Sequence, residues 1–259
     1  MATKQTTAPW VDGPLPLMEV PSAKTHPDGF YLLPASEMTH IHNVWFRSLN
    51  AIILQGPHIP TSKDAKYSQR AVKDFLTYVD YWVKAVHHHH WVEESFFFPE
   101  IAKLSGSSDL MDEAKHQHGA FEPGLQALEE YVTSIKPEDF RWDGGMKQII
   151  DGFSTELKDH LYAEVEMLLE LKDLDTEGYQ KIWFEADKKA KQSGNISLLY
   201  YLAPMVMGCA DKTYKGGENF NPMPNFMRYL FTYLVAPFNR AWRFNPCDFW
   251  GRPRPLAFK

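Results

Sequence analysis

The segment VHHHHWVEESFFFP, residues 86–99, places four consecutive histidines just before two glutamates and three phenylalanines. Imidazole and carboxylate groups are common protein ligands of transition metals. Residues four apart project from the same side of a helix, so His89 and Glu93 would point in one direction. We take His89 as the inward-facing member of the run, because it keeps the helical period of Val86 and Phe96.

The same His-x-x-x-Glu spacing recurs twice, and a seventh candidate, His42, lies on another apolar stripe. The recurrences are His118/Glu122 and His160/Glu164. One buried histidine is more often a hydrogen-bonded core residue than a ligand, and one such pair is close to chance. Seven inward groups, however, would be costly to bury without compensation. A pair of metal ions held between four helices provides that compensation, so the repetition predicts a dinuclear site.

Apolar residues at helical spacing predict the four helices that must carry these groups. The predicted ranges are roughly 36–55, 63–104, 108–135 and 146–171. Pro99 should end or kink the second helix, and Pro123 should bend the third. The fold class is therefore all-α, with a four-helix bundle as its centre.

Three zones follow from this pattern. Residues 1–35 carry six prolines and no clear period, which predicts an extended arm. Residues 36–172 form the bundle. Residues 173–259 mix a charged helix with aromatic and proline-rich segments, which predicts a helical and irregular extension that packs on the bundle.

Composition excludes several functional classes. The 259-residue chain is 44% apolar and carries a formal net charge of -6, which argues against general nucleic-acid binding. Only Cys209 and Cys247 are present, so no disulfide framework is expected. We find no secretory signal, and no apolar run reaches the roughly 20 residues of a transmembrane helix. The sequence predicts a soluble, cytoplasmic protein.

Four histidine-containing stretches of the chain resemble hemerythrin-like (HHE cation-binding) domains, and their sequences are most similar to those of fungal members. The matching stretches are HNVWFRSLN from His42, HHWVEESFFFP from His89, HGAFEPGL from His118 and HLYAEVEMLL from His160. The resemblance implies an antiparallel up-down-up-down bundle around a non-haem di-iron centre. The sequence leaves manganese or a mixed iron–manganese pair as alternatives.

The resemblance also implies a ligand set. His42 and His89 would be terminal ligands of one iron, while His118, His160 and position 122 would serve the other. Glu93 and Glu164 would bridge the two ions. No catalytic side chain apart from the metal centre itself is predicted.

Position 122 departs from the family pattern. Oxygen-carrying hemerythrins have histidine there, whereas this chain has Glu122. An additional anionic donor favours higher metal oxidation states, which favours O2 reduction over reversible binding. Pro123 directly follows and could hold Glu122 away from the metal, leaving an open position.

Further residues are expected around the ligands. The apolar residues predicted to surround the metal site and exclude water are Trp45, Phe46, Phe97 and Phe121. His88 and His90 are expected beside the ligands or in solvent.

Two functional classes fit this pattern. The first is a di-iron oxidase or oxygenase that binds O2 and oxidises a small organic substrate. The second is a non-catalytic protein that binds, senses or stores O2, NO or iron, since a fold alone does not fix a function. A structural bundle with a degenerate site is a third interpretation, and the oligomeric state stays open.

Overall fold

The computed structural model describes residues 11–107, 109–192, 196–220 and 223–259. Within these residues there are nine α-helices, and the only β-pairing is a single bridge between Cys247 and Pro253. The helices are α1 (Leu32–Gln55), α2 (Gln69–Val92), α3 (Phe98–Ser105), α4 (Asp109–Ser134), α5 (Lys147–Asp151), α6 (Ser154–Glu170), α7 (Thr176–Gln192), α8 (Ile196–Cys209) and α9 (Asn225–Leu230). The prediction of an all-α fold is confirmed.

Four long helices form the bundle. Helix α1 packs on α2 and α6, and α4 packs on the same two helices, which closes a ring around one apolar core. Helix α2 begins at a capped end, where the Ser68 hydroxyl accepts a 3.3 Å hydrogen bond from the Ala71 amide. Of the described helices, none has the length and apolarity needed to cross a bilayer.

The second predicted helix continues past Pro99. The backbone widens into a π-helical turn at Glu93–Phe97 and then enters α3, where Pro99 occupies the first turn. Proline within a helix removes an amide donor and crowds the preceding turn, and the wider π-helical turn directly before Pro99 accommodates this disruption. The helix ends at Gly106, whose φ of 68° is the left-handed conformation typical of a helix terminus.

The fourth predicted helix is divided in two. Helix α5 ends at Gly152, and α6 begins directly after Phe153. Phe153 lies against α4 at Gly124, where an added Cβ atom would come within 2.4 Å of the Phe153 Cβ atom. Gly124 therefore permits the close approach of α4 and α6, the two helices that carry His118 and His160.

The amino-terminal arm is held to α1 by two asparagines one heptad apart. The Asn50 amide donates to the carbonyls of Val11 (2.7 Å) and Leu15 (2.8 Å), and its oxygen accepts from the Leu15 amide (2.9 Å). Asn43 pairs with both backbone groups of Met18 at 2.8 and 3.0 Å. These side chains satisfy backbone groups that the irregular arm cannot pair within itself.

The carboxyl-terminal segments cover the other sides of the bundle. Helix α7 packs on α3 and on the π-helical turn, and α8 packs on α1 and α2. Near the end of the chain, the Gln55 side chain donates to the Phe244 carbonyl and accepts from the amides of Ala257 and Phe258. Helix α1 is consequently surrounded, and 18 of its 24 residues are buried.

Replacing Asn50 with alanine tests the attachment of the arm. The substitution would leave three backbone groups of the arm without their partner, so we expect a loss of about 2–4 kcal/mol in the free energy of unfolding. Urea denaturation monitored by circular dichroism measures it. The control is Gln180→Ala on the exposed face of α7, for which we expect a change within about 0.5 kcal/mol. Equal small losses in both variants would contradict the attachment.

Candidate metal centre

Six of the seven predicted inward groups converge in the middle of the bundle, together with His90. They form two sets of potential metal ligands that share Glu93. One set is His90, Glu93, His118 and His160, and the other is His42, His89, Glu93 and Glu164. Within each set, ligand atoms from all members lie within 4.8 Å of one another. All of these residues are buried except His89, which is only partly exposed.

In the second set, two imidazoles from different helices point toward one another. The Nε2 atom of His42 lies 3.1 Å from the Nε2 atom of His89 and 3.3 Å from a carboxylate oxygen of Glu164. The other ring nitrogen of His42 lies 2.9 Å from the Leu161 carbonyl oxygen, which can only accept. His42 therefore holds a proton on Nδ1, and its Nε2 atom faces the centre.

The first set repeats this arrangement. The Nε2 atoms of His118 and His160 lie 3.0 Å apart. Their Nδ1 atoms are directed outward, to the Glu94 carboxylate at 2.5 Å and to the Gln117 side-chain oxygen at 3.2 Å. These polar partners fix the ring orientation and leave both Nε2 lone pairs facing inward, as in metal-bound histidines.

The spacing of the inward nitrogens fits a shared ion. Two donors that are each about 2.1 Å from one ion and at right angles lie roughly 3.0 Å apart. The nitrogen pairs at 3.1 Å and 3.0 Å match that separation. A metal ion beside either pair could accept a lone pair from both nitrogens.

His90 provides the clearest sign of a ligand site. Its side chain is 5% exposed, and neither ring nitrogen has a hydrogen-bond partner. The ring centroid is 4.5 Å from that of His118 and 5.3 Å from that of His160. Burial and the neighbouring histidines lower the pKa of His90 well below its usual value. A neutral, buried and unpartnered imidazole is costly unless it binds something.

Position 90 differs from the expectation that it lies beside the ligands or in solvent. In a helix with 100° per residue, His89 lies roughly 40° to one side of Glu93 and His90 roughly 60° to the other. One glutamate can then face both histidines. The helical period alone predicts that one histidine of the run faces the centre. Because Glu93 is shared by both ligand sets, two histidines of the run, His89 and His90, face the centre beside it.

Glu122 lies outside both ligand sets. Its carboxylate is 3.4 Å from the Nδ1 atom of His87, and its side chain is 38% exposed. Gln126, one turn further along α4, also donates to it. Residue 122 thus pairs with the outer face of α2, and His90 stands where the sequence comparison puts the ligand from position 122.

The two buried carboxylates respond differently to their surroundings. Burial and the charge of Glu164 raise the pKa of Glu93 well above its ordinary value. Burial alone would raise the pKa of Glu164 as well, but interactions with His42, His160 and His89 lower it to about 2. The raised pKa favours the protonated form of Glu93, and a bound cation would compete with that proton.

Of the four aromatic residues predicted around the ligands, Trp45 and Phe121 lie beside histidine rings of the centre. Trp45 lies 5.9 Å from the His89 ring, and Phe121 lies 5.3 Å from the His160 ring. Phe97 is buried against Trp183, and Phe46 is buried against Tyr162. His88 points away from the centre, with its Nε2 atom 3.1 Å from the Ala190 carbonyl oxygen of α7.

Sequence reasoning missed Phe98 and Tyr179. The Phe98 ring is 5.7 Å from His118. Tyr179, on α7, is 2% exposed, and its hydroxyl has no hydrogen-bond partner. Burial and the charge of Glu164 raise its pKa above the ordinary tyrosine value. Tyr179 lies outside the bundle segment, so no periodicity connects it with the ligands.

The arrangement defines a helical bundle that can hold metal ions between four helices through histidine and carboxylate ligands. The comparisons agree. A model of the hemerythrin HHE cation-binding domain matches residues 33–171. The chain is 34% identical over 254 residues to the dimeric xanthone biosynthesis cluster protein R11 of Cryptosporiopsis sp. (strain 8999), an alignment covering 96% of this chain and 93% of that protein. No solved structure matches.

The chain therefore belongs to the hemerythrin HHE cation-binding family. This confirms the resemblance found in the four histidine-containing stretches. Metal binding follows from the family and from the His/Glu clusters of the structure.

Acid should destabilise the metal-free protein. The pKa values of His89 and His160 are lowered to about 4 and about 3, mainly by burial. The unfolded chain takes up protons near pH 6.5 and the folded chain does not, so stability present above pH 6.5 is lost as pH falls toward 4. Glu93, whose pKa is raised, changes the stability with pH in the opposite direction. It is one group, whereas several histidines contribute to the loss of stability in acid.

We expect the melting temperature of the protein, after its metal has been removed with a chelator, to fall by on the order of 10 °C between pH 7 and pH 4.5. Differential scanning calorimetry measures this. His160→Gln should reduce the pH dependence, while His116→Gln, at an exposed position of α4, should leave it unchanged. A melting temperature independent of pH in this range would contradict the assigned protonation states.

Proposed function

We propose that this protein is a non-haem di-iron protein that reacts with O2 and oxidises a small organic molecule. The pair of buried ligand sets joined through Glu93 supports the di-iron centre and its reaction with O2, and the similarity to a biosynthesis cluster protein supports the oxidation of a substrate. Nitrogen and oxygen donors without thiolate suit iron or manganese. Such a centre, when bound, would supply O2 binding and electrons for its reduction.

The proposed ligands of one ion are His90, His118 and His160, and those of the other are His42, His89 and Glu164. Glu93 would bridge them. This replaces Glu122 by His90 in the set derived from the family resemblance. The revised set has five histidines and two carboxylates.

The chain's own contribution is to fix and protect the donors. The outward hydrogen bonds of His42, His118 and His160 hold their protons on Nδ1 and keep each Nε2 available. The surrounding aromatic rings exclude water, which strengthens electrostatic interactions inside the site. The Tyr179 hydroxyl is a buried donor without a partner, so it is suited to donate a hydrogen bond to a molecule in the site.

Oxidation of a substrate is favoured by the relative with a similar full-length sequence. That protein is named for a dimeric xanthone biosynthesis cluster, which associates it with the formation of an aromatic product. Helix α7, which contributes Tyr179 and lies beyond the bundle helices, would give the site a wall of its own.

A carrier or sensor of O2 is the second candidate, and the donor set favours it. An additional carboxylate ligand at Glu122 would have favoured an enzyme. The Glu122 side chain instead lies beside His87, which is on the outer face of α2. Five histidines and two carboxylates make a less anionic centre, and histidine-rich centres suit reversible O2 binding.

Substitution of single residues distinguishes a ligand set that contains His90 from one that contains Glu122. We expect the native protein to hold about two metal ions per chain, and His90→Ala and Glu93→Ala to lose at least about half of them, because each removes a proposed ligand. Glu122→Ala is the matched control and should retain the native content. Elemental analysis of gel-filtered protein measures it. A loss in Glu122→Ala equal to that in His90→Ala would restore Glu122 to the ligand set.

Rapid mixing of the reduced, iron-loaded protein with O2 separates the two functions. We expect irreversible O2 consumption, and an unchanged rate, within about twofold, for Glu122→His, because this position does not contact the centre. Stopped-flow absorption and an oxygen electrode measure both. A spectrum that returns to the reduced form when O2 is removed would indicate a carrier or sensor.

A further inference from the structure

The segment from α9 to Phe238 exposes an unusual amount of apolar surface. Helix α9 continues into a π-helical turn at Phe231–Val235, so residues 225–235 form one helical segment. We define the aromatic patch as the large apolar side chains that this segment and the following turn expose. Its members and their exposed fractions are Phe226 (67%), Tyr229 (55%), Leu230 (37%), Tyr233 (65%), Leu234 (60%) and Phe238 (84%).

The spacing of the aromatic patch is that of one helix face. Positions 226, 229, 230, 233 and 234 follow the i, i+3, i+4, i+7, i+8 pattern, which normally marks the face directed into a core. The Tyr229 and Tyr233 rings stack with centroids 6.2 Å apart, and Tyr229 also meets Trp250 edge-on at 5.6 Å. The patch is therefore continuous rather than a set of scattered apolar residues.

The opposite face of the segment is already used to anchor it. Phe231 is 3% exposed and lies 6.0 Å from the Phe249 ring. Arg228 donates a 2.9 Å hydrogen bond to the Phe249 carbonyl. Because the inner face is packed, a small rotation cannot bury the aromatic patch. A helix that is apolar on both faces requires a second apolar environment outside the chain.

The sequence of this region is basic within an acidic chain, and three of its six basic residues, Arg240, Arg252 and Lys259, are exposed. Residues 225–259 contain six Lys or Arg and one Asp, whereas the rest of the chain contains 21 Lys or Arg and 32 Asp or Glu. Five of the eight arginines lie in this segment. Arg240 is exposed two residues after Phe238, and Arg252 is exposed two residues after Trp250. Asp74 offsets part of this charge through Arg240 and Arg243.

We propose that the aromatic patch docks on the surface of an anionic lipid bilayer. Exposed aromatic and leucine side chains, flanked by arginines, match the composition of segments that lie in the membrane interface without crossing it. The apolar side chains enter the boundary between headgroups and acyl chains, and the arginines contact acidic headgroups. The proposal is independent of the metal centre.

A second copy of the chain fits the aromatic patch less well. In a two-fold contact the same surface faces itself, and residues 225–259 contain only one side-chain carboxylate, Asp248, so a second copy brings little negative charge to the exposed Arg240 and Arg252. Like charges across an interface oppose association. An anionic bilayer is complementary to both the apolar centre of the patch and its basic edge.

Vesicle flotation of the full-length, metal-loaded protein tests the proposal. The probes are phosphatidylcholine vesicles with and without phosphatidylserine. We expect binding to the vesicles that contain phosphatidylserine and weaker binding at high salt. The triple variant Tyr233→Ser/Leu234→Ser/Phe238→Ser should reduce the bound fraction at least about tenfold. Its exposed positions should leave the fold intact, which circular dichroism verifies.

The matched control is Phe184→Ser on α7, where an aromatic side chain is also 55% exposed but lies outside the aromatic patch. It should bind vesicles like the native protein. Absence of binding by the native protein, or equal binding by the triple variant, would overturn the proposal. So would a native dimer in light scattering that does not bind vesicles and becomes a monomer in the triple variant, since the patch would then be a contact between copies.

Discussion

The structure depends on burying ionisable groups in a core that cannot solvate them. Glu93 and Glu164 lie at 2% and 1% exposure among five histidines. In an uncharged apolar core such groups would cost more than the packing around them provides. They are tolerable because they converge: each carboxylate faces imidazoles, and the imidazoles face one another at the separation expected for ligands of one ion. The four helices are thus held in register by the requirement that these side chains meet.

That requirement explains why the remaining chain wraps α1 and the π-helical turn. A centre between four helices is open to water wherever the bundle is thin. The arm is bound to α1 through Asn43 and Asn50, and α7 covers the turn that contains Glu93. The additional segments therefore increase the burial of the bundle, and burial lowers the pKa of His89, His90 and His160. They also bring Tyr179 near Glu164, which a bare bundle could not do.

Sequence periodicity could predict the four bundle helices and six of the converging side chains, because helical spacing and burial are both local properties. It failed where the outcome depended on neighbouring helices. Nothing within α4 indicates that Glu122 turns toward His87, and nothing within α2 shows that His89 and His90 flank Glu93 on two sides. The break at Gly152 and the role of Tyr179 likewise arise from tertiary packing, which a single helical pattern does not encode.

The run of four histidines then has an explanation that the period alone does not provide. Two members, His89 and His90, lie on either side of the shared glutamate, and the other two face outward to different partners. His87 lies near Glu122 and Glu129 on α4, while His88 lies by the Ala190 carbonyl of α7. Each member of the run therefore meets a different neighbour, so a substitution at one position should not be compensated by the next. The same run connects the proposed centre with α4 on one side and with the carboxyl-terminal extension on the other. Helix α7 contacts both His88 and the turn that carries Glu93.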